Sequence, residues 1–298
     1  MKTAYNWPEI IISSLIKASG YSAIFFVAMI FVFLLTEGVP ALGEVHLSNL
    51  FSTRWYPIEG FYGILPLIGG SIIVTLGAAI IAIPLGIGSA IFIAEISPRW
   101  GREILKPLVE LLEGFPSVVL GFLGIVILAS FLRETFNLPT GLTALAGSIL
   151  IAAIALPTIV SVTEDALDSV PRSYREAALA LGATEWQTIW RVTLPAAKNG
   201  VVTAVMLGIA RSIGETMAVL MVSGNAPVMP TSIQSLFSPV RTMTATIAAE
   251  MGEVASGSVH YHVLFFVGIG LFLISLAVNL IASLVVTRER KRAERILS

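Results

Sequence analysis

Six long apolar stretches divide the sequence, and they constrain the fold more than any motif in it. They run from Ala18 to Leu35, Leu67 to Ala94, Pro116 to Leu132, Leu142 to Val162, Gly200 to Val222 and Val263 to Val286. A helix that crosses the ~30 Å hydrocarbon core of a bilayer needs ~20 mostly apolar residues. The pattern therefore predicts an all-α membrane protein with six transmembrane helices. The second stretch is long for a bilayer and holds Pro84, which predicts tilt or a kink. The third is the shortest.

Composition agrees. Only 12 % of the 298 residues are charged, against roughly 25 % in soluble domains, so too little charge is available to cover a water-facing surface. Disordered chains are polar and highly charged and are excluded by the same figures. With no cysteine there is no disulfide framework, thiolate metal site or Cys nucleophile. Three histidines, two of them at His260 and His262, argue against a His-rich metal site. A net charge of −1 creates no field to attract nucleic acid.

Lysine and arginine orient the spans, because short cytoplasmic loops carry the excess. Lys2 and Lys17 precede the first span. Arg99, Arg102 and Lys106 lie between the second and third. Arg172, Arg175, Arg191 and Lys198 lie between the fourth and fifth, and Arg288, Arg290, Lys291, Arg292 and Arg295 follow the sixth. These fourteen share one side, and Arg54, Arg133 and Arg241 share the other, with Arg211 inside span five. Six spans with both termini cytoplasmic satisfy this alternation; five or seven would break it. The first span could be read as a cleavable signal peptide. Against that, Thr36-Glu37-Gly38-Val39-Pro40 is a poor cleavage site.

On the outer side, Phe51, Trp55, Tyr56, Phe61 and Tyr62 read as interface aromatics. In the longer outer loop, 224–262, Met243, Ile247 and Met251 make an apolar helical stripe after a helix-starting Pro239. On the inner side, Lys106 and Glu110 are spaced to pair. Pro107 disfavours one straight helix there, which predicts an interfacial elbow leading into span three.

The inner loop 164–198 is the most informative segment. Ser173 and Glu176 have capping-box spacing, as do Thr184 and Gln187. Gly182 is placed to end the first short helix in a left-handed cap, and Pro195 resets the chain before span five. Two short capped helices are thus presented between two spans. A DNA-reading helix pair is a poor fit for a segment tied to the membrane at both ends. A plain interfacial loop has no need of two capped helices. A docking element for a cytoplasmic partner fits best.

Glu176-Ala177-Ala178, then Gly182, then Val192-x-Leu194-Pro195, resembles the EAA loop of ABC importer permeases, with Val192 where Ile is usual. FPSVVLGFLG (115–124), LPTIVSVTEDAL (156–167), ARSIGETMAVLMVSGN (210–225), RTMTATIAAEMGE (241–253) and GSVHYH (257–262) are similar to the phosphate-specific importers, and to their C-type permease subunit in particular. Where that subunit often has Ala-Gly-Ile-Pro-Ser, this chain has Glu113-Gly114-Phe115-Pro116-Ser117, and the sequence assigns the extra carboxylate no role. The resemblance implies the type I ABC importer permease fold. It divides the chain into a cytoplasmic N-terminus (1–17), a first helix with its outer loop (18–63), a permease core (64–286) holding the EAA loop (164–195), and a basic tail (287–298). In that family Glu176, Ala177, Ala178, Gly182, Leu194 and Pro195 belong to the loop that fits a groove on the ATPase. The implied partners are a second permease subunit, two ATPase subunits and an extracytoplasmic phosphate-binding protein, in the lipid of a prokaryotic cytoplasmic membrane.

Arg211 and Glu215 lie within span five. A charge at the bilayer centre costs on the order of 2.5–3.5 kcal/mol and marks pathways or buried pairs. Their i, i+4 spacing places both on one helix face with Gly208 and Ser212. A structural pair that locks packing is one reading. A translocation path lined by Arg211, Ser212 and Glu215 is the favoured one, since a guanidinium suits an oxyanion. No G-x-x-x-x-G-K-[ST] phosphate loop occurs. ATP and Mg are therefore expected on the partner ATPase, with no cofactor on this chain. Alternatives are a permease for molybdate, tungstate or a phosphonate, a secondary transporter, or a membrane-embedded enzyme. A secondary transporter needs internal repeats and ion-coordinating broken helices, and a membrane-embedded enzyme needs clustered polar groups in the bilayer; the sequence shows no convincing repeat and only Arg211 and Glu215 deep within a span.

Overall fold

The computed structural model describes residues 7–297, with side chains for 11–281, 283 and 284. Lys2 lies outside the described residues, as do the side chains of Arg288, Arg290, Lys291, Arg292 and Arg295. Helix α1 (Trp7–Gly38) leads to two short outer helices, α2 (Ala41–Glu44) and α3 (Leu47–Leu50). A two-residue hairpin follows, β1 (Trp55–Tyr56) antiparallel to β2 (Phe61–Tyr62). Then come α4 (Leu65–Ile91), α5 (Arg99–Glu113), α6 (Ser117–Leu123) and α7 (Ser130–Thr135). Helix α8 (Ala144–Asp168) precedes the short helices α9 (Arg172–Ala180), α10 (Glu185–Thr188) and α11 (Leu194–Ala196). The chain ends with α12 (Lys198–Gly214), α13 (Met217–Val222), α14 (Met243–Glu250) and α15 (Val259–Leu297).

Among the described residues five helices are long and apolar enough to cross a membrane, and a bent pair, Glu185–Ala196 with Lys198–Gly214, makes up to six. The third span is carried by α6 and α7, joined through the π-helical turn Gly124–Ala129. The fifth span is not one helix: α12 stops at Gly214 and α13 resumes at Met217.

Helix α4 packs along α8, and α12 packs on the same α8. The α4 seam is spelled in small residues four apart: Gly70, Val74, Ala78, Ala82, Gly86 and Ala90 are all buried. Between membrane helices, small side chains let the backbones approach until dispersion contacts are dense. Ile159 of α8 fills the space left by two glycines: a Cβ on Gly86 would fall 2.6 Å from Ile159 Cγ2, and one on Gly208 would fall 2.5 Å from its Cγ1. Pro84 is accommodated inside α4. Helix α1 lies against α15 through stacked Phe31 and Phe272 and edge-on Phe33 and Phe265. Its remaining face, with Ile24, Phe25 and Ile30, is exposed, which suits acyl chains.

Helix α5 corrects two expectations. It runs unbroken through Pro107, and Lys106 reaches Glu164 and Asp165 on α8 rather than Glu110. Its opposite side exposes Trp100, Ile104, Leu108 and Leu111 at helical spacing, the amphipathic form of an interfacial helix. On the outer side, Trp55 is 3 % exposed and Tyr62 is half-buried. Both belong to a core of Ala41, Leu50, Leu67, Met243, Leu264 and Val267 and do not project as interface aromatics. The expected stripe is there, with Met243 buried and Ile247 and Met251 packed on that core. The helix start is set by Thr242, whose side chain accepts from Ala245 N–H, not by Pro239.

Candidate functional site: a cation at the broken fifth span

Arg211 occupies the last turn of α12. The carbonyls at a helix C-terminus lack partners and the macrodipole is negative there, so a cation is favoured. Its guanidinium does not meet Glu215. Nη1 donates to Glu113 Oε1 at 2.7 Å and to Thr158 Oγ1 at 3.1 Å. The Thr158 hydroxyl donates in turn to the same Glu113 Oε1 at 2.9 Å. Three elements converge: the C-terminus of α5, the middle of α8 and the end of α12. The Arg211 and Glu113 side chains are 35 % and 42 % exposed, so the cluster lines an open face rather than a sealed core.

The local Arg211–Glu215 pair, one of the two readings of their spacing, does not form, because the helix ends between them. Glu215 has extended backbone angles, φ −67° and ψ 128°, and the i, i+4 relation holds only within a continuous helix. Its Oε1 instead accepts from the N–H groups of Thr216 and Ala218, both at 3.2 Å. Those are orphan donors at the start of α13. Its carbonyl accepts from Thr244 Oγ1 at 3.0 Å, tying the break to α14. Ser212 also stands apart: it is buried, and its hydroxyl donates to the Gly208 carbonyl of its own helix at 2.9 Å. In sequence, Glu113 stands out as an extra carboxylate without a role and Thr158 is passed over; a second signal is that a carboxylate at a helix C-terminus is disfavoured by the macrodipole.

At the cytoplasmic end, α9 and α10 form the anticipated pair. Gly182 has φ +84° and closes α9 in a left-handed cap. Thr184 and Gln187 form a reciprocal capping box. Ser173 does not cap, because the helix starts at Arg172 with Pro171 as its N-cap. Glu176 and Ala177 are exposed, Ala178 is buried, Leu194 is half-buried and Pro195 is exposed. Leu181, between the two helices, is 90 % exposed, and the exposed Trp186 and Trp190 pack edge to face with ring centroids 5.6 Å apart. A solvent-facing apolar patch of this kind marks an interaction surface.

The foot of α9 is anchored by charge. Arg175 donates to both oxygens of Glu95, at 2.6 and 3.2 Å, and to the Leu167 and Val170 carbonyls. Nearby, Glu164 is 1 % exposed and accepts from Lys106 at 2.6 Å and from Arg102 Nε at 3.1 Å. Arg102 also pairs with Asp168. Glu164, Asp165 and Asp168 therefore bind α5 to α8. The Glu164 hydrogen bond raises the Lys106 pKa above the ordinary lysine value.

Residues 82–292 match the family described as binding-protein-dependent transport system inner membrane component. The chain belongs to this family. It is 45 % identical over 235 residues to a probable ABC transporter permease, YqgH, of Bacillus subtilis, covering 78 % of this chain and 75 % of that one. It is 37 % identical over 267 residues to the phosphate transport system permease protein PstC of Mesorhizobium japonicum, covering 83 % and 80 %. The PstC of Pasteurella multocida is 34 % identical over 294 residues, covering 89 % and 90 %. In fold the chain is similar to a chain of the inward-facing MetNI methionine ABC transporter (TM-score 0.55, 19 % identity, 76 % of this chain and 94 % of that one). A chain of a bacterial alginate ABC transporter gives TM-score 0.57 at 16 % identity, covering 94 % and 96 %.

As a member of this inner-membrane family the chain is a multi-pass membrane protein and a transport component. The outer side carries a further polar cluster in which Glu250 accepts from Arg241 at 2.8 Å, Trp55 Nε1 at 3.2 Å and His260 at 2.8 Å. It joins α14, α15 and the hairpin, and so fixes the outer loops of the permease.

Proposed function

We propose that this chain is the C-type permease subunit of an ATP-driven importer that moves inorganic phosphate across the cytoplasmic membrane. The observation that carries the reading is Arg211: a guanidinium at the break in span five, restrained by a half-exposed ion pair, in a chain similar to PstC permeases. A permanent cation with unused N–H groups attracts an oxyanion. An interrupted helix whose freed backbone is satisfied by side chains is a recurrent way to build a site within a bilayer. Glu215 holds the break in shape. The α9–α10 pair, with Glu176, Ala177, Ala178, Gly182, Leu194 and Pro195, docks on the ATPase. ATP and Mg are bound by that partner, and this chain hydrolyses no nucleotide. The assembly comprises a second permease subunit, two ATPase subunits and an extracytoplasmic phosphate-binding protein.

The test is uptake of labelled phosphate by cells with and without the chain, with molybdate, sulfate and a phosphonate as competitors. Loss of an uptake that molybdate and sulfate do not inhibit supports phosphate. Retained phosphate uptake with loss of another oxyanion's uptake defeats it. Arg211→Gln should abolish uptake while the complex still assembles, and full uptake by that variant defeats the pathway role.

A further inference from the structure

The Arg211 cluster is half used. Glu113 Oε1 takes both hydrogen bonds, one from Arg211 and one from Thr158, while among the described residues Oε2 takes none. Arg211 spends only Nη1, so Nη2 and Nε remain free to donate. Thr158 pins Oε1 in place, which fixes the orientation of the carboxylate. The open face therefore presents a cation with spare donors next to an anion with a spare acceptor. A carboxylate in an anion path is paradoxical if the cargo is only a charge: it repels every anion that approaches Arg211. It becomes useful if the cargo carries a proton.

We propose that Glu113 selects for oxyanions that bear a hydroxyl. An oxygen of the anion accepts from the free guanidinium N–H groups, while its hydroxyl donates to Glu113 Oε2. Phosphate retains at least one P–OH at neutral pH and satisfies both groups. Sulfate, molybdate and tungstate are fully ionised, leave the carboxylate without a donor and meet its charge. A site built to pair with a substrate OH rejects analogues that lack one far better than a site relying on shape alone. The ion pair does not block the site, because partly exposed pairs are worth only about 0–1 kcal/mol. This assignment rests on the phosphate reading and sharpens it, by locating part of the discrimination among oxyanions in the permease.

The experiment uses the assembled importer in nanodiscs, without nucleotide and without the binding protein, titrated with inorganic phosphate and with sulfate by calorimetry. Wild type should prefer phosphate by about tenfold or more, below what a sealed hydroxyl-reading site reaches because Arg211 and Glu113 are partly exposed. Glu113→Gln should bring the ratio near one, chiefly by admitting sulfate, and Glu113→Ala should do the same. Co-purification of the other subunits verifies that both variants assemble. Equal binding of the two anions by wild type, an unchanged preference in both variants, or no binding of either anion by wild type overturns the proposal. Uptake by Arg211→Gln, measured separately, tests the underlying reading: a dead Arg211→Gln with an unaltered preference in the Glu113 variants sinks the filter alone, and an active one sinks the pathway.

Discussion

The hydrogen bonds of Glu215 give its side chain a job at the helix break that does not depend on its charge. Its Oε1 receives the first N–H groups of α13, a job a glutamine oxygen does nearly as well. Glu215→Gln should therefore keep most of the uptake, whereas Glu215→Ala should lose a cap worth about 1 kcal/mol and with it the geometry of the break. Uptake and thermal melting of the two variants separate the roles; loss in both at unchanged melting temperature would mean that the charge itself matters. Lys106 makes a prediction of the opposite kind. Its pKa is raised, first by the Glu164 hydrogen bond, so the folded protein favours its charged form. That contribution is complete below the ordinary lysine value of about 10.4 and disappears as pH rises through the higher folded value. Wild type should thus lose more melting temperature above about pH 10.4 than Lys106→Met does. Arg211 was legible as the one cation in an apolar run. Its partner Glu113, 98 positions away, was not, because spacing within one helix pointed to Glu215.

The joint between α5 and α8 rests on a buried carboxylate. Glu164 has two cations, Arg102 and Lys106, and either can compensate it alone. Arg102→Ala and Lys106→Ala should each be tolerated. The double variant should cost about 3–5 kcal/mol, since it leaves an uncompensated charge in the interior, and a thermal melt of the purified complex reads the difference. A sum of the two single effects that equals the double would refute the sharing. The basic residues at 102 and 106 were visible in sequence as topological markers. Their use as a clasp was not, because the helix through Pro107 had to be seen before one face of α5 could be set against α8.

At the scale of the molecule, the α9–α10 pair is tied through Arg175 to Glu95, in the turn that follows α4, and to α8, and it exposes Leu181, Trp186 and Trp190. Leu181 makes the clearest test, because its side chain is almost fully exposed. Leu181→Glu should leave the permease folded but reduce co-purification of the ATPase by about tenfold or more, as expected when a charge enters an apolar contact. Undiminished co-purification would move the docking surface elsewhere.

The sequence alone determined the spans, their alternation and the short capped helices, because each depends on local terms: a run of apolar residues, a Lys and Arg count, a glycine at a left-handed cap. It also determined that a cation lies within the fifth span. Only the tertiary structure decided where that span breaks, that Trp55 and Glu164 are interior, and that Arg211 faces Glu113 and Thr158. The reason is physical. Helix formation and membrane insertion are settled over neighbouring residues, whereas a charge pair in a bilayer is settled by whichever helices pack closely enough to bring the groups together, and here small residues along α4 and α12 against α8 set that approach.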